Sequence, residues 1–258
     1  MILKRIRRTS MEFRINQAKD NYDRTTEEYI VAYIDILGTT NLIRSDDQNE
    51  ALNLMHNLYS FFTSTTSEIA IPENKDLKFK IFSDNIIIAK KLSSNTKQRE
   101  KDIRCLLMAA SHFQIDSVGD GVGYLVRGGI TLGDLFIDDT IVFGKALVDS
   151  YNLEDKTALY PRIIFDTKTI NEIKKYKDLN SFILQDFDDL FFLNYLSIWH
   201  FCGEMLYQGF EKIKSRAKNK VDERLLQKLN WHKNFVNRQL ANKGENVRLD
   251  IDNLINNK

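Results

Sequence analysis

The chain has 258 residues, 43% of them hydrophobic, enough for one large core, and no apolar run approaches the roughly 18 residues of a membrane-spanning helix. Its two cysteines, Cys105 and Cys202, have neither CxxC spacing nor a Cys/His cluster around them, which argues against a zinc site or disulfide framework and predicts two core thiols. The net charge of +1 conceals basic ends, +4 over residues 1–24 and +7 over 211–243, so the rest sums to −10. Such ends read as solvated helix faces or a self-association surface before they read as nucleic-acid contacts. The opening "MILKRIRRTS" lacks the apolar stretch of a secretory signal, so a cytoplasmic location without membrane attachment is expected.

Residues 1–27 form a basic N-terminal segment. Residues 28–35 are β-rich, and 47–69 repeat apolar residues at helical spacing. "DLKFKIFS" and "NIIIAKKL" flank a tight turn at Ser83, Asp84 and Asn85, a hairpin signature. Residues 97–116 predict a second amphipathic helix, 123–137 a strand, 144–155 a helix and 162–166 a short strand. The order β, α, β, β, α, β with an αβ extension is the ferredoxin-like or palm order. The expected fold class is therefore α+β, an antiparallel sheet with helices on one face. From 195 onward the pattern turns helical, predicting a C-terminal helical appendage over 195–258.

Two aspartates interrupt apolar strands in this layout: Asp35 ends "VAYID", and Asp84 sits at the hairpin tip. In the palm order the first strand lies beside the hairpin, so the two can converge. Facing carboxylates repel unless one is protonated or a cation lies between them. Mg²⁺ and Mn²⁺ prefer such oxygen ligands, and a pair of these ions supports in-line displacement at phosphorus. Gly38, Thr39 and Thr40 follow Asp35 and lead toward a helix, where backbone N–H groups can hold a triphosphate. No GxxxxGK[ST] loop is present, which argues against a P-loop enzyme. "DFDDLFF", with Asp186, Asp188 and Asp189, has the residues to bind a cation, but reads first as a turn before a strand. His56, His112, His200 and His232 lack ligand spacing and read as core or surface residues.

"YIDILGTTNLI", "FKIFSDNIIIA", "VRGGITLGDLFI" and "VFGKALVDSYNLE" resemble, in order and spacing, the motifs of class III nucleotidyl cyclases over about residues 28–166. Within that family the resemblance is to the bacterial anti-phage pyrimidine cyclases, which make cyclic UMP or cyclic CMP as an alarm signal. It implies a catalytic domain over 28–194 in which Asp35, Asp84 and the carbonyl of Ile36 hold two Mn²⁺ or Mg²⁺ ions. It also implies phosphate contacts from Leu37, Gly38, Thr39 and Thr40. The ribose 3′-hydroxyl would attack the α-phosphate of a nucleoside triphosphate. The working unit would be a head-to-tail homodimer, with the metals on one chain and Arg127 or the 141–152 segment contributed by the other, and a separate cyclic-nucleotide-binding effector would read the product.

Three positions depart from the family pattern. Ser83 stands for Gly, Val148 for the transition-state Asn and Asn152 for the Arg, leaving Arg127 and Lys145 as candidate replacement cations. Lys80, four residues before Asp84, and Ile141, three before Gly144, fall at the base-reading positions. A lysine donor suits a pyrimidine carbonyl and Ile141 cannot accept from an adenine amino group, so UTP is expected narrowly ahead of CTP. The alternative is a catalytically silent nucleotide sensor or binding module, which Val148 and Asn152 favour. A dinucleotide cyclase or polymerase palm would need a Gly-Gly-Asp/Glu hairpin that is absent.

Overall fold

The computed structural model describes residues 24–39, 48–68, 77–119, 122–198, 203–217 and 222–255. Thr40, His200, Cys202 and nearly all of the basic N-terminal segment lie outside the described residues. Strand β1 (Glu27–Ile36) carries two apolar sets, Ile30, Ala32, Ile34 and Ile36 on one face and Tyr29, Val31 and Tyr33 on the other, because successive side chains alternate. A strand covered on both faces belongs at the middle of a sheet. It lies between β3 (Asn85–Lys91) and β4 (Val126–Ile137), in the order β2-β3-β1-β4-β6-β8-β7. Here β2 is Leu77–Phe82, β6 Ile163–Phe165, β7 Ile183–Gln185 and β8 Phe191–Leu193, while β5 (Val142–Phe143) folds back onto β4. The first four strands keep the antiparallel palm order expected from the sequence, and the one parallel joint, β4 with β6, belongs to the αβ extension.

Helices α1 (Gln48–Glu68) and α2 (Thr96–Val118) cover one face. Leu54 and Leu58 of α1 and Ile103, Leu106 and Phe113 of α2 share a core with Ile30, Ile34 and Ile88. Asn95 starts α2 by accepting from the Gln98 amide at 3.1 Å, satisfying an otherwise unpaired first-turn donor. Cys105 is buried in the core on this helix, as expected.

Helix α3 (Lys145–Thr157) departs from the one-sided arrangement and lies on the opposite face, with Ala146 among Tyr29, Val31, Ala89 and Leu135. Strand β4 is shaped to receive it. The Thr131 hydroxyl donates to Ala146 O at 2.8 Å, and a Cβ at Gly129 would lie 2.5 Å from Ser150 O. At the start of α3, Gly144 has φ 149°, and a Cβ there would lie 2.3 Å from Asp134 O, so no other residue fits that corner.

Beyond β6, Asp166 caps α4 (Thr167–Ile173), and a 3-10 turn over Lys177–Phe182 leads into the β7–β8 hairpin. The expected C-terminal helices are α5 (Gly203–Ala217) and α6 (Glu223–Asn242), with a final turn α7 (Asp252–Ile255). Leu206, Phe210, Leu229 and Phe235 join the same core as the sheet, so the appendage shares the body's interior. Arg216 docks α5 by stacking 4.1 Å over the Tyr124 ring and donating to Val122 O and Gly123 O. Among the described residues no helix is long and apolar enough to cross a membrane.

His232 of α6 is fully buried between the rings of Tyr195 and Phe210, at 6.4 and 5.8 Å, and neither ring nitrogen has a hydrogen-bond partner. Burial disfavours the imidazolium and drives its pKa down to about 3. Between about pH 3 and 6.5 the unfolded chain then binds a proton that the folded chain does not. Stability contributed by a neutral His232 is present above the unfolded value and is lost as pH falls. Acidifying from pH 7.5 to 5 should cost about 2 kcal/mol through this residue. Urea titrations of wild type and His232→Phe at both pH values check this, and the variant should lose the increment.

Candidate active site

Register places the two central aspartates. Asp35, near the end of β1, pairs with Asn85 of β3 on one side and Arg127 of β4 on the other. Alternation turns Asp35 and Arg127 toward the α3 face. The β2–β3 turn consists of Ser83 and Asp84, with Ser83 at φ 56°, where glycine is the less strained choice. Its Asp84 carbonyl accepts from the Ile36 amide at 3.2 Å, which ties the hairpin tip to the end of β1. The buried Thr39 hydroxyl lies 2.7 Å from Ile36 O and 2.8 Å from Asp84 Oδ2, its single proton serving one acceptor at a time. Asp35, Ile36, Thr39 and Asp84 are thus brought together as the sequence predicts. Leu37 and Gly38 form the turn leaving β1, and the Leu37 amide is engaged by Leu125 O at 2.8 Å.

Arg127 links Asp35 to α3. Its Nε donates to Asp35 Oδ2 at 3.3 Å and lies 2.7 Å from Glu154 Oε1. Arg127 therefore accompanies Asp35 of its own chain, and of the two expected contributions from a partner only the 141–152 segment is left. Burial raises the Asp35 pKa above the usual carboxylate range; Arg127 opposes this and the Asp84 charge adds to it. Glu154 is pushed up to about 7, chiefly by burial, with Arg127 pulling it down and Asp35 and Asp84 pushing it up. Tyr33, edge-on to Tyr151 at 5.4 Å, is raised to about 12 by burial and the neighbouring carboxylates. Half-buried Lys228 of α6 feels the same cluster: burial and then Arg127 lower its pKa, while Asp35 raises it.

The donor set around Asp35 and Asp84 is two carboxylates and the Ile36 carbonyl, all oxygen, and the negative charge there exceeds what Arg127 neutralises. These residues fit a hard divalent cation. Among the described residues no group of three or more His, Cys, Asp or Glu side chains is placed to hold a metal. The acidic turn at 186–189 holds a different cation, the buried guanidinium of Arg162, which pairs with Asp186 and Asp188.

Lys80 lies on the α3 side of β2, opposite Ile87, and its Nζ donates to Asp139 O at 2.8 Å. Asp139 belongs to the β4–β5 turn that also carries the exposed Ile141, so the two expected base-reading residues are neighbours. On α3, Ala146, Ser150 and Glu154 face inward, whereas Lys145 and Val148 are exposed and Asn152 is half-buried, one turn beyond Val148. Glu154, Tyr33 and Lys228 were not singled out from the sequence as site residues. The inward spacing of Ala146, Ser150 and Glu154 on α3 was a signal for Glu154. Nothing local signalled Lys228, which arrives through the docking of α6.

Thr39→Val removes the hydroxyl at nearly constant volume and with it the one proton that Asp84 Oδ2 and Ile36 O share. It should destabilise the protein by about 1–2 kcal/mol in urea denaturation.

No protein-family model matches the sequence, and no curated protein matches it. Solved structures similar to it include adenylyl and guanylyl cyclase domains. An adenylyl cyclase, CyaB from P. aeruginosa, is 17% identical, with 66% of this chain and 95% of that one covered at a TM-score of 0.47. The monomeric guanylyl cyclase domain of a RhoGC fusion protein from the aquatic fungus Blastocladiella emersonii is 14% identical, covering 66% and 96% at 0.44. The guanylate cyclase domain of RhGC from Catenaria anguillulae, solved with GTP, is 13% identical, covering 57% and 82% at 0.40.

Proposed function

We propose that the protein is a metal-dependent nucleotidyl cyclase that converts a pyrimidine nucleoside triphosphate, UTP or CTP, to its 3′,5′-cyclic monophosphate and pyrophosphate. The observation that carries this reading is the convergence of Asp35 and Asp84 at one end of the central strands, beside Arg127. Two Mg²⁺ or Mn²⁺ ions held by Asp35, Asp84 and the Ile36 carbonyl would supply Lewis-acid activation of the 3′-hydroxyl and neutralise phosphate charge. In the reaction a bond forms from O3′ to the α-phosphorus, the bond from that phosphorus to pyrophosphate breaks, and the hydroxyl proton leaves to solvent. Arg127 presents positive charge where the α-phosphate charge rises, and Glu154 orients its guanidinium. Gly38, Thr39 and Thr40 hold the polyphosphate, Lys80 and Ile141 meet the base, and Asn152 contacts the nucleotide.

Phe82, Phe143, Val148 and Tyr151 expose apolar side chains on or beside the α3 side of the sheet, at 77, 68, 56 and 45%. A patch of this kind is covered in the working protein, which supports a homodimer with shared sites. The product would act as an anti-phage signal read by a separate effector in the cytoplasm. The exposed Val148, where a polar group would be needed, favours one second reading, a silent nucleotide-binding module.

The deciding experiment incubates purified protein with each of the four ribonucleoside triphosphates and Mn²⁺ and identifies cyclic products by mass spectrometry. Cyclic UMP or cyclic CMP is expected. No product at all would establish the silent module, and cyclic AMP alone would sink the pyrimidine assignment. Asp35→Asn and Asp84→Asn should each abolish turnover while leaving the melting temperature unchanged or raised, since each removes one of two repelling charges. Near-normal activity in either variant would rule out the metal assignment.

Lys80→Ala should lose roughly five- to two-hundred-fold in apparent affinity, or shift the ratio of uridine to cytidine product, because the base carbonyl loses its donor. If neither changes, Lys80 does not read the base.

A further inference from the structure

A cavity of about 380 Å³ opens between α6 and the β7–β8 hairpin, remote in sequence from Asp35, Asp84 and Arg127, and within the size range of small-molecule sites. One wall is aromatic: Tyr160, Phe192 and Trp231 lie along it, and Phe187 stands at the hairpin tip with 71% of its surface exposed. Tyr160 stacks on Trp231 at 6.0 Å and meets Phe187 edge-on at 5.5 Å, so the rings are already ordered by one another. The exposed face of Phe187 is the surface on which a further flat ring would gain burial.

The other wall is a row of amides on one side of α6: Gln227, Asn230, Asn234, Gln239 and Asn242. Among the described residues none of these five side-chain amides has a hydrogen-bond partner within the protein. Each offers both a donor and an acceptor, the complement that the mixed edge of a nucleobase requires and that a plain hydrocarbon ring does not. The carboxylate of Asp186 also lines the cavity, but it is committed to Arg162 and to the Trp231 ring N–H, at 2.6 Å from the latter. That leaves Arg238 at the rim as the charged group that is available, and it is positive.

We infer that this cavity binds a mononucleotide: base against the aromatic wall, base edge on the α6 amides, phosphate toward Arg238. The site is separate from the one proposed for catalysis and goes beyond that reading, because none of its lining side chains belongs to the Asp35–Asp84 cluster. The same base and phosphate could be presented by a single-stranded nucleic acid, and the test separates the two sources.

Trp231 lies in the wall and provides the signal. Asp35→Asn protein, with the proposed metal ligand removed and no divalent ion added, is titrated with UMP, CMP, AMP and GMP while tryptophan fluorescence is followed, and stoichiometry is taken from calorimetry. At least one mononucleotide should give saturable quenching at one site per chain, and ribose 5-phosphate and the matching nucleoside should each bind more weakly. Phe187→Ala and Arg238→Ala alter exposed side chains, so both variants should keep the wild-type melting temperature while each weakens binding about tenfold or more, equivalent to about 1.4 kcal/mol. No binding by any of the four up to about 10 mM overturns the assignment. So does binding that neither variant weakens, and so does binding of a decanucleotide without binding of any mononucleotide.

Discussion

Arg127 stands among more carboxylate charge than it can neutralise, and the arrangement of the sheet's α3 face follows from how that charge is held. Asp35, Glu154 and Asp84 lie within electrostatic reach of one another, and burial makes the ionised forms of Asp35 and Glu154 more costly than in water. A guanidinium suits this position because it can donate to Asp35 while resting against Glu154. The pairing exists only in one register. Strands β1 and β4 pair over ten residues from Glu27–Leu135 to Ile36–Val126, and a slip of one residue would turn Asp35 toward the α2 side. Apolar residues on both faces of β1 penalise any such slip, so the core itself keeps the charged cluster in place.

Glu154 reaches Arg127 because α3 lies close against β4. A side chain at Gly129 would collide with Ser150 O, and the corner at Gly144 admits no Cβ, so two glycines define both the distance and the entry angle of the helix. The same placement turns Val148 and Tyr151 outward. An exposed apolar helix surface beside a polar cleft is the geometry expected where a second chain closes a site from outside.

The C-terminal half is organised around a second buried cation. Arg162, 1% exposed, pairs with Asp186 and Asp188 and lies 5.4, 5.9 and 5.7 Å from the ring centres of Tyr160, Phe192 and Trp231. An unpaired guanidinium there would be untenable; two carboxylates and three π-faces compensate its desolvation and make the contact specific. Through Trp231 this cluster orients α6. That orientation brings Lys228 near the Arg127 cluster and creates the cavity above the β7–β8 hairpin. An acidic turn that could have marked a metal site is instead the clamp that places a helix.

Much of this was legible in the sequence where the physics is local. The β-rich run at 28–35 marked a strand, the Ser83–Asp84 turn marked a hairpin, and the order of elements placed them side by side and implied that Asp35 and Asp84 meet. Helices α1, α2, α3, α5 and α6 were visible in their periodicity. Thr39 and Arg127 could be named from their places in the motifs. Other features were decided only by tertiary structure, because they depend on groups far apart in the chain. Periodicity reports that a helix has an apolar side but not which face of the sheet receives it, so the one-sided arrangement expected from the sequence misplaced α3. The three-residue strands β7 and β8 are too short to show a period and exist through pairing with each other and with β6. The same holds for charge. Composition counts Asp186, Asp188 and Arg162 as exposed-type residues, and only packing buries Arg162 and pairs it with both carboxylates. The basic run at 211–243 says nothing of Lys228 beside Arg127, a relation created when α6 folds back across the body.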